Sequence, residues 1–280
     1  MLKEVVEGLN IKPNGTYVDG TLGGGGHAEA ILEKLSSEGK LIGIDTDQDA
    51  LNAAQSRLKN FANLQLVNDN FRNIKNILPA PVDGLLLDLG VSSYQIDEAS
   101  RGFSIQHDGP LDMRLDQSFG ITAATIVNEY EEEELIKIFR EWGEERFSPR
   151  IARAIIAQRQ KEKINSTQAL KTIIEKAIPT WRKRESVTRI FQALRIAVNE
   201  ELVSLEKFLA DAVDVLNPNG RLVVIAYHSL EDRLVKQALR QAKTEGKITI
   251  ITKKPLTASL TEISANSRAR SAKLRVGEKR

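Results

Sequence analysis

The sequence has 280 residues, 41% of them hydrophobic and 28% charged, with no cysteine, three histidines and a net charge of +2. That is room for one large domain, or a domain carrying an insertion, of ordinary soluble composition. It excludes a disulfide framework and thiolate chemistry, gives little basis for a zinc site, and is too small a charge to hold nucleic acid without local basic clusters. No run approaches the roughly 18 apolar residues of a membrane span, and Met1-Leu2-Lys3-Glu4 lacks the apolar core of a secretory signal. The cytoplasm is therefore the expected location.

Leu2, Val5, Val6 and Leu9 predict an amphipathic helix, stopped by Lys12-Pro13-Asn14-Gly15. Residues 16–19 read as a short strand ending on Asp19. The run Gly20-Thr21-Leu22-Gly23-Gly24-Gly25-Gly26-His27 follows at once, and residues 28–35 then carry apolar side chains at helical spacing. Strand, glycine turn and helix in that order make a cofactor cradle, because glycines let the backbone approach a ligand at a helix N-terminus. Gly23, Gly25 and Ala28 fit the dinucleotide pattern, although a glycine run alone is as often a plain turn. Residues 40–45 read as the second strand, with Asp45 placed where a carboxylate would hold ribose hydroxyls, a feature that suits NAD and S-adenosylmethionine equally. Asp19 separates the two. A carboxylate there would repel a pyrophosphate but attract an ammonium and a sulfonium, which favours the methyl donor.

Residues 49–58 predict a second helix of this region and 64–67 a third strand. Phe71 follows, either against an adenine ring or in the core. The apolar run 82–88 suits a strand buried on both faces of a parallel sheet, and it too ends on an acid, Asp88. Asp19, Asp45 and Asp88 should therefore gather at one sheet edge. Residues 97–113 are loop-like, the length of a lid or binding loop. From 115 to 210 the periodicities are helical (123–128, 131–142, 149–159, 167–177 and a long, broken 186–216), with Glu131–Glu134 as a solvated helix start. The chain is thus divided into an α/β domain, 1–114 with 205–280, and an inserted helical domain, 115–204, for substrate recognition. Trp181-Arg182-Lys183-Arg184 and Arg189 lie on its basic side. The sheet resumes after a turn at 216–220 with a strand at 221–227. His228 stands at its carboxyl end, and terminal strands are expected at 248–252 and 271–276 around a second basic cluster, Asn266-Ser267-Arg268-Ala269-Arg270.

Seven further motifs follow the glycine run in order: Leu87-Asp88-Leu89-Gly90-Val91-Ser92-Ser93, Arg101-Gly102-Phe103-Ser104, Asp108-Gly109-Pro110-Leu111-Asp112-Met113-Arg114, Gly143-Glu144-Glu145-Arg146, Phe191-Gln192-Ala193-Leu194-Arg195, His228-Ser229-Leu230-Glu231-Asp232-Arg233 and Arg268-Ala269-Arg270-Ser271. Together they resemble the bacterial ribosomal RNA small subunit methyltransferase H family, also called MraW, across nearly the whole chain. The resemblance implies a class I S-adenosylmethionine-dependent methyltransferase, Rossmann-like with a mostly parallel sheet and an inserted all-α domain. It implies N4-methylation of a cytidine in the decoding region of 16S rRNA, and Gly24, Gly25, Gly26, His27, Asp45, Phe71, Asp88 and Gln95 as the cofactor lining. The family pattern opens with a short histidine-containing segment, whereas this chain begins inside the first helix. Either the start is truncated or the lid that segment helps form is incomplete.

A cytosine N4 amine is a poor nucleophile, so catalysis should come mostly from positioning, with a nearby acceptor for its proton. Asp88, Ser92, Ser93 and Asp112 are the candidate acceptors, and no metal is required. Arg182, Lys183, Arg184, Arg268 and Arg270 are the candidate phosphate contacts, on 16S rRNA within an assembled small subunit. An inactive RNA-binding assembly factor on the same fold, and an NAD-dependent oxidoreductase, are the alternatives.

Overall fold

The computed structural model describes residues 1–280, the side chain of Ser93 excepted. Packing divides the chain into two units, 1–90 with 202–280, and 91–201. The first holds one eight-stranded sheet. Its strands are β1 (Thr16–Asp19), β2 (Lys40–Asp45), β3 (Leu64–Asn68), β4 (Val82–Asp88), β5 (Leu216–Ala226), β6 (Ile248–Ile250), β7 (Leu256–Thr257) and β8 (Lys273–Lys279). The order is β3-β2-β1-β4-β5-β8-β6, with β7 also on β8. The five strands from β3 to β5 are parallel, and β8 runs antiparallel to β5, β6 and β7. Successive strands step one way from β1 to β3 and the other way from β4, so the order reverses between β1 and β4. Ligands of such sheets bind beyond the carboxyl ends of the strands at that reversal.

The apolar runs form these strands because both faces are covered. Along β4, Leu85 and Leu87 face one core cluster and Leu86 the other; along β5, Leu222 and Val224 alternate with Val223 and Ile225 in the same way. One cluster takes in Val5 and Leu9 of α1 (Leu2–Leu9), Ile31 of α2 (Gly26–Leu32) and Leu51 of α3 (Gln48–Arg57). The other takes in Ile74 of α4 (Ile74–Ile77), Phe208 of α11 (Glu201–Ala212) and Leu239 of α12 (Ser229–Thr244). Each such Leu or Ile contributes at most about 1.5–3 kcal/mol by burial. A short α13 (Leu260–Ala265) precedes β8.

The second unit is helical: α5 (Ser93–Asp97), α6 (Ala123–Glu129), α7 (Glu132–Glu141), α8 (Ser148–Arg159), α9 (Thr167–Ala177) and α10 (Lys183–Asn199). Leu135, Ile138 and Phe139, then Ile151 and Ile155, then Leu170 and Ile174, then Val187, Ile190 and Leu194 recur at three- and four-residue spacing and share one core. Glu131 and Glu134 close a capping box at the start of α7. Among the described residues, no helix is long and apolar enough to cross a membrane.

Several boundaries differ from those read in the sequence. Helical periodicity begins at 114/115 and predicts the domain edge there; packing puts it at 90/91. Residues 91–114 lack periodicity yet sit in the helical unit, with Phe103, Leu111 and Met113 in its core and the Arg101 guanidinium donating to Arg114 O and Leu115 O at 3.1 and 3.0 Å. The turn expected at 216–220 is a bulge inside β5: Val82 pairs Leu216, and Gly84 already pairs Arg221. The long helix does break, at Glu200, whose φ of 49° is left-handed.

Candidate active site

Backbone hydrogen bonds shape the glycine loop first. Gly20 N–H donates to Leu86 O at 2.9 Å and Leu22 N–H to Ile44 O at 3.0 Å, pinning the loop to strands on either side of β1. Asp45 then holds it from below, accepting from Gly23 N–H at 2.8 Å and from Asp47 N–H at 2.9 Å. Gly25 has φ 78°, and a Cβ there would also press on Leu58, so this position needs glycine for its backbone. Gly24 is different: a Cβ would meet nothing within 4 Å, which leaves an open cradle beside the start of α2. The first bond of that helix is Glu29 N–H to Gly25 O, at 2.9 Å.

Asp19, Asp45 and Asp88 end three adjacent strands, as their sequence positions predicted. Asp19 is 1% exposed; its Oδ1 accepts from Thr21 N–H at 3.2 Å, and its buried Oδ2 has no hydrogen-bond partner among the described residues. Burial, with the Asp88 and Asp45 charges adding to it, pushes this carboxyl up to about 7 against the pull of the Thr21 amide. Burial likewise raises Asp45, opposed by its two amide donors and the Thr46 amide. It raises Asp88 too, opposed by His27 and by a hydrogen bond from Tyr227.

Asp88 is the most elaborately held of the three. Its N–H donates to Thr21 Oγ1 at 2.6 Å, its Oδ1 accepts from the Tyr227 hydroxyl at 2.9 Å, and its Oδ2 lies 3.4 Å from His27 Nδ1. Burial lowers the His27 pKa although Asp88 pulls the other way. Burial, then the Asp88 charge, raises the Tyr227 phenol, so it stays a donor. Tyr227 is aimed by Glu231, a buried acid in the first turn of α12 that accepts from Tyr227 N–H at 2.8 Å and His228 N–H at 3.3 Å. His228, which its strand-end position drew toward the site, caps α12: its Nδ1 accepts from Glu231 N–H at 3.4 Å.

Gly24, Gly25, Gly26, His27, Asp45, Phe71 and Asp88 thus share the sheet unit. Phe71 packs against the core, edge-on to Phe208 at 5.7 Å between ring centroids. Of the remaining candidates, Arg268 and Arg270 also belong to the sheet unit, and the others to the helical unit. Ser92 and Gln95 form the capping box of α5, Ser92 Oγ accepting from Gln95 N–H at 3.2 Å and Gln95 Oε1 from Ser92 N–H at 2.8 Å. Ser93, at the start of α5, has its side chain outside the described residues. Asp112 accepts from Arg114 Nε and Nη2 at 2.9 and 2.8 Å; burial raises this carboxyl, but the guanidinium outweighs it and holds it below the usual range. Arg182 is tied to Glu185 and largely covered, Lys183 is half-buried, and Arg184, Arg268 and Arg270 are exposed. Sequence reading missed Thr21, Tyr227 and Glu231. Thr21 lies inside the quoted glycine run and Tyr227 stands one residue before His228, so position was the available signal for both.

A family model described as the MraW methylase family matches residues 1–280. The ribosomal RNA small subunit methyltransferase H of Clostridium botulinum is 50% identical over 300 residues, covering 100% of this chain and 97% of that protein. The protein of the same name from Carboxydothermus hydrogenoformans is 49% identical over 301 residues, with 100% and 96% coverage. Among solved structures, an rRNA methylase from Streptococcus thermophilus is 12% identical at a TM-score of 0.48, over 99% of this chain and 93% of its own, too remote to bear on the site. A glycine cradle at the reversal of a mostly parallel sheet, and a match from the first residue to the last, lead to one conclusion: the chain belongs to the MraW methylase family.

Proposed function

We propose that this protein uses S-adenosylmethionine to methylate the exocyclic N4 of a cytidine in the decoding region of 16S rRNA. The family and the names of the 50%-identical relatives support rRNA methylation. The observation that carries the cofactor reading is the trio of strand-end carboxylates with Asp19 Oδ2 unpartnered. Such an edge suits an ammonium and a sulfonium and repels a pyrophosphate, which disfavours the oxidoreductase reading. S-adenosylmethionine supplies an electrophilic methyl group there.

The chain's own residues do the rest. The Gly24–Gly26 backbone admits the cofactor closely, and Asp45, with lone pairs beyond those used by Gly23 and Asp47, takes the ribose hydroxyls. Asp88 is the preferred proton acceptor among Asp88, Ser92, Ser93 and Asp112. Burial raises its basicity, whereas Arg114 lowers that of Asp112. Tyr227 fixes the Asp88 rotamer, which serves a reaction that depends on aligning a weak nucleophile. The target base must leave its stack to reach such an edge. Exposed Arg184, Arg268 and Arg270 serve as phosphate contacts that position the RNA, the helical unit recognises the substrate, and the substrate is the assembled small subunit in the cytoplasm.

The test is to treat unmethylated small subunits and protein-free 16S rRNA with protein and S-adenosylmethionine, then digest the RNA to nucleosides. N4-methylcytidine from the particles is expected, with little from free RNA. A methyl group on another base or atom would overturn the chemistry, and equal yields would overturn the particle preference.

A further inference from the structure

Trp181 is 70% exposed, although its neighbours Ile178 and Val187 are buried in the helical core. It sits in a 3-10 turn, Thr180–Arg182, between α9 and α10. Pro179 sets that turn: it stands directly before it in extended conformation, and its carbonyl accepts from Arg182 N–H at 3.0 Å. The ring is therefore displayed by a backbone device and is not a stray end of a flexible loop. Two guanidinium groups lie against it, Arg146 and Arg182, each 5.3 Å from the ring centroid. Arg146 also lies 4.8 Å from the Phe147 ring. Glu185, bonded to both Arg182 and Arg189, holds the Arg182 side chain in place.

One exposed tryptophan is ordinary by itself, but a ring held on a fixed turn between two guanidinium groups offers a ready face to a partner. The charge around it says of what kind. Residues 181–185 carry Arg182, Lys183 and Arg184 against Glu185, and Arg146, which follows exposed Glu144 and buried Glu145, also reaches the ring; the cations are in excess, so the covering surface is anionic. A flat π-face beside guanidinium planes is the arrangement on which unpaired bases stack while the adjoining phosphates meet the cations. We infer that Trp181, flanked by Arg146 and Arg182, is a stacking platform for an unpaired base of the RNA substrate other than the base that is methylated. This rests on the rRNA reading above. It changes the part assigned to Arg182, from a phosphate contact to a group that orients and flanks the ring.

Stacking and phosphate contact differ in their salt response, and that separates them. Trp181→Ala should bind a short unstructured RNA about tenfold more weakly, the weight of one stacked base, with the wild-type salt slope. Trp181→Phe should keep most of the affinity. In Trp142→Phe, where Trp181 is the only tryptophan, the RNA should quench fluorescence, and a strand of abasic nucleotides should not. Unchanged affinity in Trp181→Ala, in a wild type that binds and methylates RNA, overturns the platform alone. A loss confined to ribosomal particles, with naked RNA bound normally, means that the ring meets something other than a bare unpaired base and also overturns it. A wild type that neither binds nor methylates RNA removes the platform together with the reading beneath it.

Discussion

At the carboxyl edge of the sheet the charged groups are buried or half-buried and held by fixed backbone and side-chain donors. In the turn between α9 and α10 they are exposed or half-covered and held mainly by one another. The difference is one of energetic scale. A buried carboxylate at low dielectric gains much from a matching cation and costs much without one, whereas an exposed arginine is hydrated and screened whatever it touches. Chemistry therefore belongs at the first place and reversible grip on a long polymer at the second.

The sharpest way to break this contrast is Asp88→Ala. Turnover should fall by about 100- to 10,000-fold while RNA binding stays near wild type. Single-turnover methylation beside a binding titration measures both, and normal turnover at saturating substrate would remove Asp88 from the chemistry. Next comes the stability cost of burying Asp19. Its folded pKa, about 7, lies above its ordinary 3.8, so folding takes up a proton between those values and stability falls as pH rises through that interval. The slope is at most about 1.4 kcal/mol per pH unit for one proton. Urea unfolding of Asp19→Asn across the interval should show a flatter profile than wild type; parallel profiles would mean Asp19 is not held above its unfolded value.

Asp45→Ala should weaken S-adenosylmethionine binding by about 1.5–3 kcal/mol, the range for hydrogen bonds to a charged group. Calorimetry on a folded variant reads this, and Asp45→Asn, which keeps an acceptor for Gly23, should lose less. Equal loss in both would assign the whole effect to charge. The smallest effect is expected on the exposed side: Arg270→Ala should lower the salt slope of RNA binding by roughly 0.7–0.9. Arg182→Ala should lower it less, since Glu185 already neutralises that guanidinium. A larger slope change from Arg182 than from Arg270 would reverse the assignment.

Most of the sheet edge was legible because the same physics writes it twice. A strand buried on both faces must be an apolar run, and a run that ends at a ligand crevice ends in a polar side chain, as Asp45 and Asp88 do. The bond from Tyr227 to Asp88 was not legible, because 139 residues separate its partners and no local pattern encodes it. Local partners also hid the state of Asp112 and Gln95. A polar residue in a loop motif reads as available, but Arg114 and Ser92, two and three residues away, occupy them. The 91–114 segment misled for the opposite reason: its backbone is irregular, so burial of Phe103 and Met113 leaves no period to detect.

β4 and β5 are hydrogen-bonded neighbours, yet the whole of residues 91–201 lies between them along the chain. During synthesis the helical unit is continuous and can bury its core before β5 exists. The apolar run of β4 must meanwhile wait with one edge unpaired, the kind of edge that recruits strands from other chains. β8 comes later still, although it pairs with β5, β6 and β7. How long the nascent sheet stays vulnerable is therefore set by elongation through the insert, and a translational pause within 91–201 would lengthen that exposure without altering one contact of the finished protein.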